Sequence, residues 1–183
     1  VGLSNKDTVY SVEYGSVTVE YFNPADGAEP TVDVDRGLQG RNASLTSVNS
    51  TANTSQDYKL DFTYSSTTDD PLLNATGDAA AVQYIDATET ADNFKESTFE
   101  IEVSKATLAA TNDTAGNVSI YHETSAGTYE ELDTTLLFET TTGYVYEATT
   151  DSYSVFAVGV PEQKDLEENE DDDDSSDDDT DDS

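Results

Sequence analysis

The chain reads as an all-β protein: an antiparallel β-sandwich, immunoglobulin-like or related, that ends in a disordered acidic C-terminal tail. Three observations predict this. Apolar and polar residues alternate with period two through most of the first 160 residues, and no long helical period competes. Turn residues punctuate those segments at the spacing of a sandwich. After Pro161 the pattern stops, and 14 of the 40 acidic residues crowd between Glu162 and Asp182. The reading is one β-sandwich domain over 1–160 and a tail or linker over 161–183, with the first part long enough to bury a core.

The strands follow in order. Short alternating signals at 9–14 and 31–35 flank a clear strand in which Val17, Val19 and Tyr21 oppose Ser16, Thr18 and Glu20. Tyr58, Leu60, Phe62 and Tyr64 alternate with Lys59, Asp61 and Thr63, and Phe99, Ile101 and Val103 with Thr98, Glu100 and Glu102. Each is a half-buried strand. Shorter signals lie at 82–86, 117–122, 136–139 and 143–149. The segment 153–160 differs, because Val155 and Ala157 on one side and Phe156, Val158 and Val160 on the other are all apolar. That predicts a central strand covered on both faces. Asn23-Pro-Ala-Asp-Gly and Ala126-Gly127 read as turns, and 105–110 as the one helical turn. The stretch 39–56, nearly all Gly, Asn, Ser and Thr, reads as an exposed loop.

Charge narrows the partners. The net charge is −33, and the first 161 residues keep 26 acidic groups against six basic ones, about −20. Nucleic acid and anionic membrane surfaces are poor partners for such a chain, since both are bound through Lys and Arg. Like charges at this density repel across a screening length of roughly 10 Å at 0.1 M salt and about 3 Å at 1 M. The surface therefore suits a halophilic protein. The tail repels itself and stays extended, reaching at most roughly 75 Å, so it is expected to act as a spacer with cations condensed along it. No run of 18 apolar residues is present, so no direct membrane insertion is expected of this chain.

Chemistry-bearing motifs are few. With no Cys and a single histidine, His122, neither thiol nor Ser-His-Asp catalysis has a constellation. His122 follows Val118 and Ile120 in phase and is expected to be structural. The carboxylate pairs Asp69-Asp70, Asp33 with Asp35, and Glu130-Glu131 are what so acidic a composition produces without function, and no calcium-loop pattern is present. The reading is non-enzymatic, with no catalytic, cofactor or metal residues. Six Asn-x-Ser/Thr sequons begin at Asn42, Asn49, Asn53, Asn74, Asn112 and Asn117, and they are the N-glycosylation candidates.

The stretches Asn117-Val-Ser-Ile-Tyr-His, Tyr129-Glu-Glu-Leu-Asp-Thr, Gly143-Tyr-Val-Tyr-Glu-Ala-Thr and Tyr153-Ser-Val-Phe-Ala-Val-Gly resemble the PGF-pre-PGF domain of archaeal surface proteins. Phe99-Glu-Ile-Glu-Val-Ser-Lys continues the likeness upstream, and Gly15-Ser-Val-Thr-Val-Glu agrees loosely with the domain's start. Tyr129 stands where that family often has Trp, and Asp151-Ser-Tyr-Ser where Pro-Gly-Phe-Ser is usual. The resemblance implies an extracellular β-rich module of haloarchaeal secreted or cell-surface glycoproteins, with a structural or interaction role at the cell envelope. Its expected partners are copies of itself or neighbouring surface-layer proteins. Two rival expectations are a carbohydrate-binding accessory domain that stacks sugars on exposed tyrosines, of which the chain has 11, and a hydrolase whose paired carboxylates face each other across a cleft.

Overall fold

The computed structural model describes residues 8–13, 15–21, 31–34, 38, 40–52, 57–65, 69–89 and 94–162, without the side chains of 8–13, 21, 52, 58, 94 and 95. The turn expected at 23–27 and nearly all of the acidic tail lie outside the described residues. The strands are β1 (Thr8–Glu13), β2 (Ser16–Tyr21), β3 (Thr31–Asp33), β4 (Ala43–Ala52), β5 (Tyr58–Ser65), β6 (Ala79–Glu89), β7 (Phe94–Ser104), β8 (Ser119–Ser125), β9 (Thr128–Glu131), β10 (Thr134–Glu139), β11 (Gly143–Thr150) and β12 (Val155–Pro161). Two short helices, α1 (Pro71–Thr76) and α2 (Lys105–Ala110), interrupt them. One sheet runs β1-β2-β5-β6-β12-β8-β9 and the other β10-β11-β7-β4-β3, with antiparallel pairing throughout. This is the two-sheet antiparallel sandwich that the alternation predicts.

The core lies between the sheets. Val17, Val19, Leu60, Phe62, Ile85 and Phe156 from the seven-stranded sheet meet Leu45, Val48, Phe99, Ile101 and Tyr146 from the five-stranded one. Phe99 and Phe156 touch edge to face across the gap, with ring centroids 5.0 Å apart. Hydrogen bonds tie the layers as well: the Leu45 amide donates to the Tyr64 hydroxyl at 2.7 Å, and the Asn42 amide to the Val82 carbonyl at 2.8 Å.

β12 is central, between β6 and β8, and is buried on both faces as expected. Its outer side carries a second apolar cluster of Leu72, Ala79, Tyr84 and Ala157, roofed by α1. A Cβ on Gly159 would sit 2.8 Å from the Tyr121 ring and 2.9 Å from Leu72, so only glycine lets the roof close this far. Helix α1 was not anticipated, although its punctuation is standard. Asp70 caps it by accepting from the Leu73 amide at 3.2 Å, Pro71 starts it, and Gly77 ends it at φ 75°.

The stretch 39–56 corrects the sequence reading. It is not an exposed loop, because β4 occupies residues 43–52 beside β7 in the five-stranded sheet. A bulge between Leu45 and Ser47 places Leu45 opposite Ile101 and Val48 opposite Phe99. Two core residues thus stand three apart, and the period of two disappears from the sequence.

Candidate interaction surface and modification sites

The sequons divide by geometry. Asn74 on α1, and Asn112 and Asn117 between α2 and β8, are exposed. Asn112 takes φ 57°, and the Asn117 side-chain nitrogen makes a long 3.5 Å contact to Asp113. Asn42 and Asn49 instead use the nitrogen that a glycan would occupy. Nδ2 of Asn42 donates to Val82 while its Oδ1 accepts from Thr107 at 3.0 Å, and Nδ2 of Asn49 donates to Thr31 at 2.7 Å. Within the sequons of Asn42 and Asn49, Ser44 and Ser50 are buried. Asn53 lies outside the described residues. The exposed, open positions are therefore Asn74, Asn112 and Asn117.

His122 is 6% exposed and stacks on Phe156 at 4.9 Å with the planes 18° apart. Burial lowers its pKa against the raising influence of Asp151, Glu130 and Glu123, and its Nε2 has no hydrogen-bond partner. This is a neutral imidazole used as a packing ring. The carboxylate pairs do not converge either. Asp70 accepts from the Tyr84 hydroxyl at 2.6 Å, the Ala81 amide at 2.9 Å and the Leu73 amide, which makes it a structural hub. Glu131 accepts from Ser119 at 2.7 Å, and Asp35 lies outside the described residues. Among the described residues no group of three or more His, Asp or Glu is arranged to hold a metal ion, and no helix is long and apolar enough to cross a membrane.

The described tyrosines are buried or half-buried, and several use their hydroxyls internally. Tyr84 donates to Asp70 and accepts from the Leu72 amide at 2.9 Å; burial, then the Asp70 hydrogen bond, raises its pKa strongly. Tyr146 donates to the Ala115 carbonyl at 2.6 Å and is pushed up to about 12 by burial. Tyr153 bonds Ser97 of the opposite sheet. Tyr10, Tyr14, Tyr21 and Tyr58 have side chains outside the description.

Two surface features remain. The outer face of the five-stranded sheet holds an acidic row in register, with Asp33 opposite Ser47, Ser47 opposite Glu100, and Glu100 opposite Glu147. Burial, then Glu147 and Asp33, raise the pKa of Glu100. Ser47, Glu100 and Glu147 of this row line an open polar groove of about 410 Å³ together with Thr31, Asn49 and Thr98. A second groove of about 750 Å³, beside α2, holds both Arg41 and Lys105. Arg41 lies over the Tyr64 ring at 4.3 Å, and Lys105 bonds Glu139 at 2.5 Å, so both cations are engaged within the fold.

The feature that sequence reasoning missed is apolar. Leu136, Leu137 and Phe138 on β10 are 43%, 38% and 54% exposed, at the edge of the five-stranded sheet. The signal was three successive large apolar residues where a half-buried strand should alternate. Compared with known proteins, the chain matches no family model, and no curated protein is significantly similar to it.

Proposed function

We propose that this protein is a non-enzymatic extracellular module of a halophilic archaeal surface glycoprotein, with a structural or interaction role at the cell envelope and the acidic tail as spacer. The observation that carries the reading is the acidic row on the bare sheet face. Asp33, Glu100 and Glu147 stand together without a cation in the groove lining beside them. Like charges across neighbouring strands destabilise a sheet in dilute salt and are tolerated when the screening length falls to about 3 Å. The resemblance to the PGF-pre-PGF domain and the exposed sequons Asn74, Asn112 and Asn117 support the same conclusion. A carbohydrate-binding role has no exposed tyrosine among the described residues to rest on.

The test is unfolding followed by tyrosine fluorescence as salt is diluted from molar to ~0.1 M. Loss of the fold on dilution is expected, and a domain as stable at the low end as at the high end would overturn the reading. The intact mass of protein from its native source should also exceed the chain mass by glycan increments.

A further inference from the structure

We propose that two copies of this chain associate edge to edge through β10, pairing antiparallel about a two-fold axis between Leu136 and Leu137. This names a partner within the function proposed above. It rests on that reading only for the salty medium in which two such acidic chains meet.

Sheet edges offer unpaired backbone groups, and natural proteins guard them with charge or brevity. Two of the other edges, β9 and β3, follow that rule, while β1 is the remaining edge and its side chains lie outside the described residues. β9 exposes Glu130 and Glu131, and β3 is three residues long and exposes Asp33. β10 is six residues long and presents Leu136, Leu137 and Phe138. Its single charge, Glu139, is met by Lys105 of the same chain at 2.5 Å. Among the edges with described side chains, β10 is thus the unguarded one, and its charge is already balanced.

The register is self-complementary. A bulge in β10, with Leu137 as its extra residue, sets Leu136 opposite Tyr146 and Phe138 opposite Val145, so residues two apart face opposite sides of the sheet. Thr134, Leu136 and Glu139 share the core-side face, while Thr135 and Phe138 share the outer one, as their β11 partners show. A two-fold axis perpendicular to the sheet must bring like faces together. With this one-residue shift, an axis between Leu136 and Leu137 does so for the residues with a β11 partner, since Thr135 meets Phe138 of the second copy and Thr134 meets Glu139; Leu136 then stands opposite Leu137, the extra residue of the bulge. In that register Asp133 opposes Thr140, so no carboxylate faces a carboxylate across the seam. Moving the axis onto Leu136 opposes Asp133 to Glu139 and mismatches the faces. Moving it onto Leu137 opposes outer Thr135 to core-side Glu139. The chain's own tail is a poor occupant, because 163–183 contains a single apolar side chain, Leu166. A seam of one strand lies at the small end of specific interfaces, so the association is expected to be weak and concentration-dependent.

Sedimentation of the full chain in molar salt, across a wide concentration range, tests this. The mass is expected to rise toward twice the monomer, and Phe138→Asp should remain monomeric where the wild type is dimeric, while at a dilution where both are monomeric the two unfolding midpoints should agree because Phe138 is exposed. The chain has no cysteine, so single variants report the register. Leu136→Cys mixed with Leu137→Cys, with oxidised glutathione as oxidant, should form disulfide-linked dimers several-fold faster than either variant alone. A wild type that stays monomeric throughout, a Phe138→Asp variant that associates like the wild type, or equal cross-linking of the single variants would each overturn the proposal. The two readings fail separately. A β10 dimer equally stable in dilute and molar salt would keep this interface and sink the halophilic role, whereas a strict monomer that unfolds on dilution would do the reverse.

Discussion

The two outer faces of this sandwich have opposite fates. Over the seven-stranded sheet, α1 seals Leu72, Ala79, Tyr84 and Ala157 into a second apolar cluster. Over the five-stranded sheet nothing comparable is seen among the described residues, and the face is a grid of Thr, Ser, Asn and Glu around an open groove. The contrast shows in the strands beneath. β12 is apolar on both sides because both sides are covered, while β7 alternates Phe99 and Ile101 with Thr98 and Glu100 because one side meets solvent. Covering a face removes the need for polar residues, and leaving it bare invites the charge that then has to be screened.

The covered face should be the more sensitive to single changes. Leu72→Ala removes a fully buried side chain and is expected to cost about 3 kcal/mol, measured by denaturant unfolding in molar salt. A loss under about 1 kcal/mol would mean that α1 is a loose lid. Next comes Tyr84→Phe, which takes one hydrogen bond from Asp70 and another from the Leu72 amide. About 1–2 kcal/mol should be lost by the same measurement.

The bare face should respond least, and with the opposite sign. Glu100→Gln removes a like charge from the row, so a gain of roughly 0.5 kcal/mol is expected in dilute salt, fading in molar salt. Because the folded carboxyl is raised above its unfolded value, the folded chain holds more protons in that window. Its stabilising contribution is therefore full below the ordinary glutamate range and is lost as pH rises through the raised value. Glu100→Gln should flatten that slope in a pH series of unfolding midpoints, and an unchanged slope would show that the row is already screened.

Much of the fold was legible where burial follows a simple period. The strands around Val17, Leu60 and Phe99, the double-faced strand at Phe156, and the helical turn at 105–110 all announce themselves in consecutive residues. β4 did not, because its bulge sets Leu45 and Val48 three apart and its other buried positions are Ala and Ser. Helix α1 was legible in Asp70-Pro71 and Gly77, yet six residues are too short for a helical period to emerge. Among the candidate residues, His122 lies buried against Phe156, as its phase suggested. Exposure of the sequons could not be read at all, since Asn42 and Asn49 are distinguished from Asn74 only by the distant partners Val82 and Thr31.

The sequence by itself determined the β class, the central place of β12, the acidic composition and the end of the alternating pattern at Pro161, because each depends on composition or on neighbours two residues apart. Tertiary structure alone decided that β9 and β10, two residues apart in the chain, belong to different sheets. It also decided that α1 roofs one face while no described element covers the other, and that Leu136, Leu137 and Phe138 come to lie at an edge. Apolar alternation states how much of a strand must be buried. What buries it depends on pairings as far apart as Leu45 with Ile101 or Phe156 with Ile85, and local patterning carries no record of them.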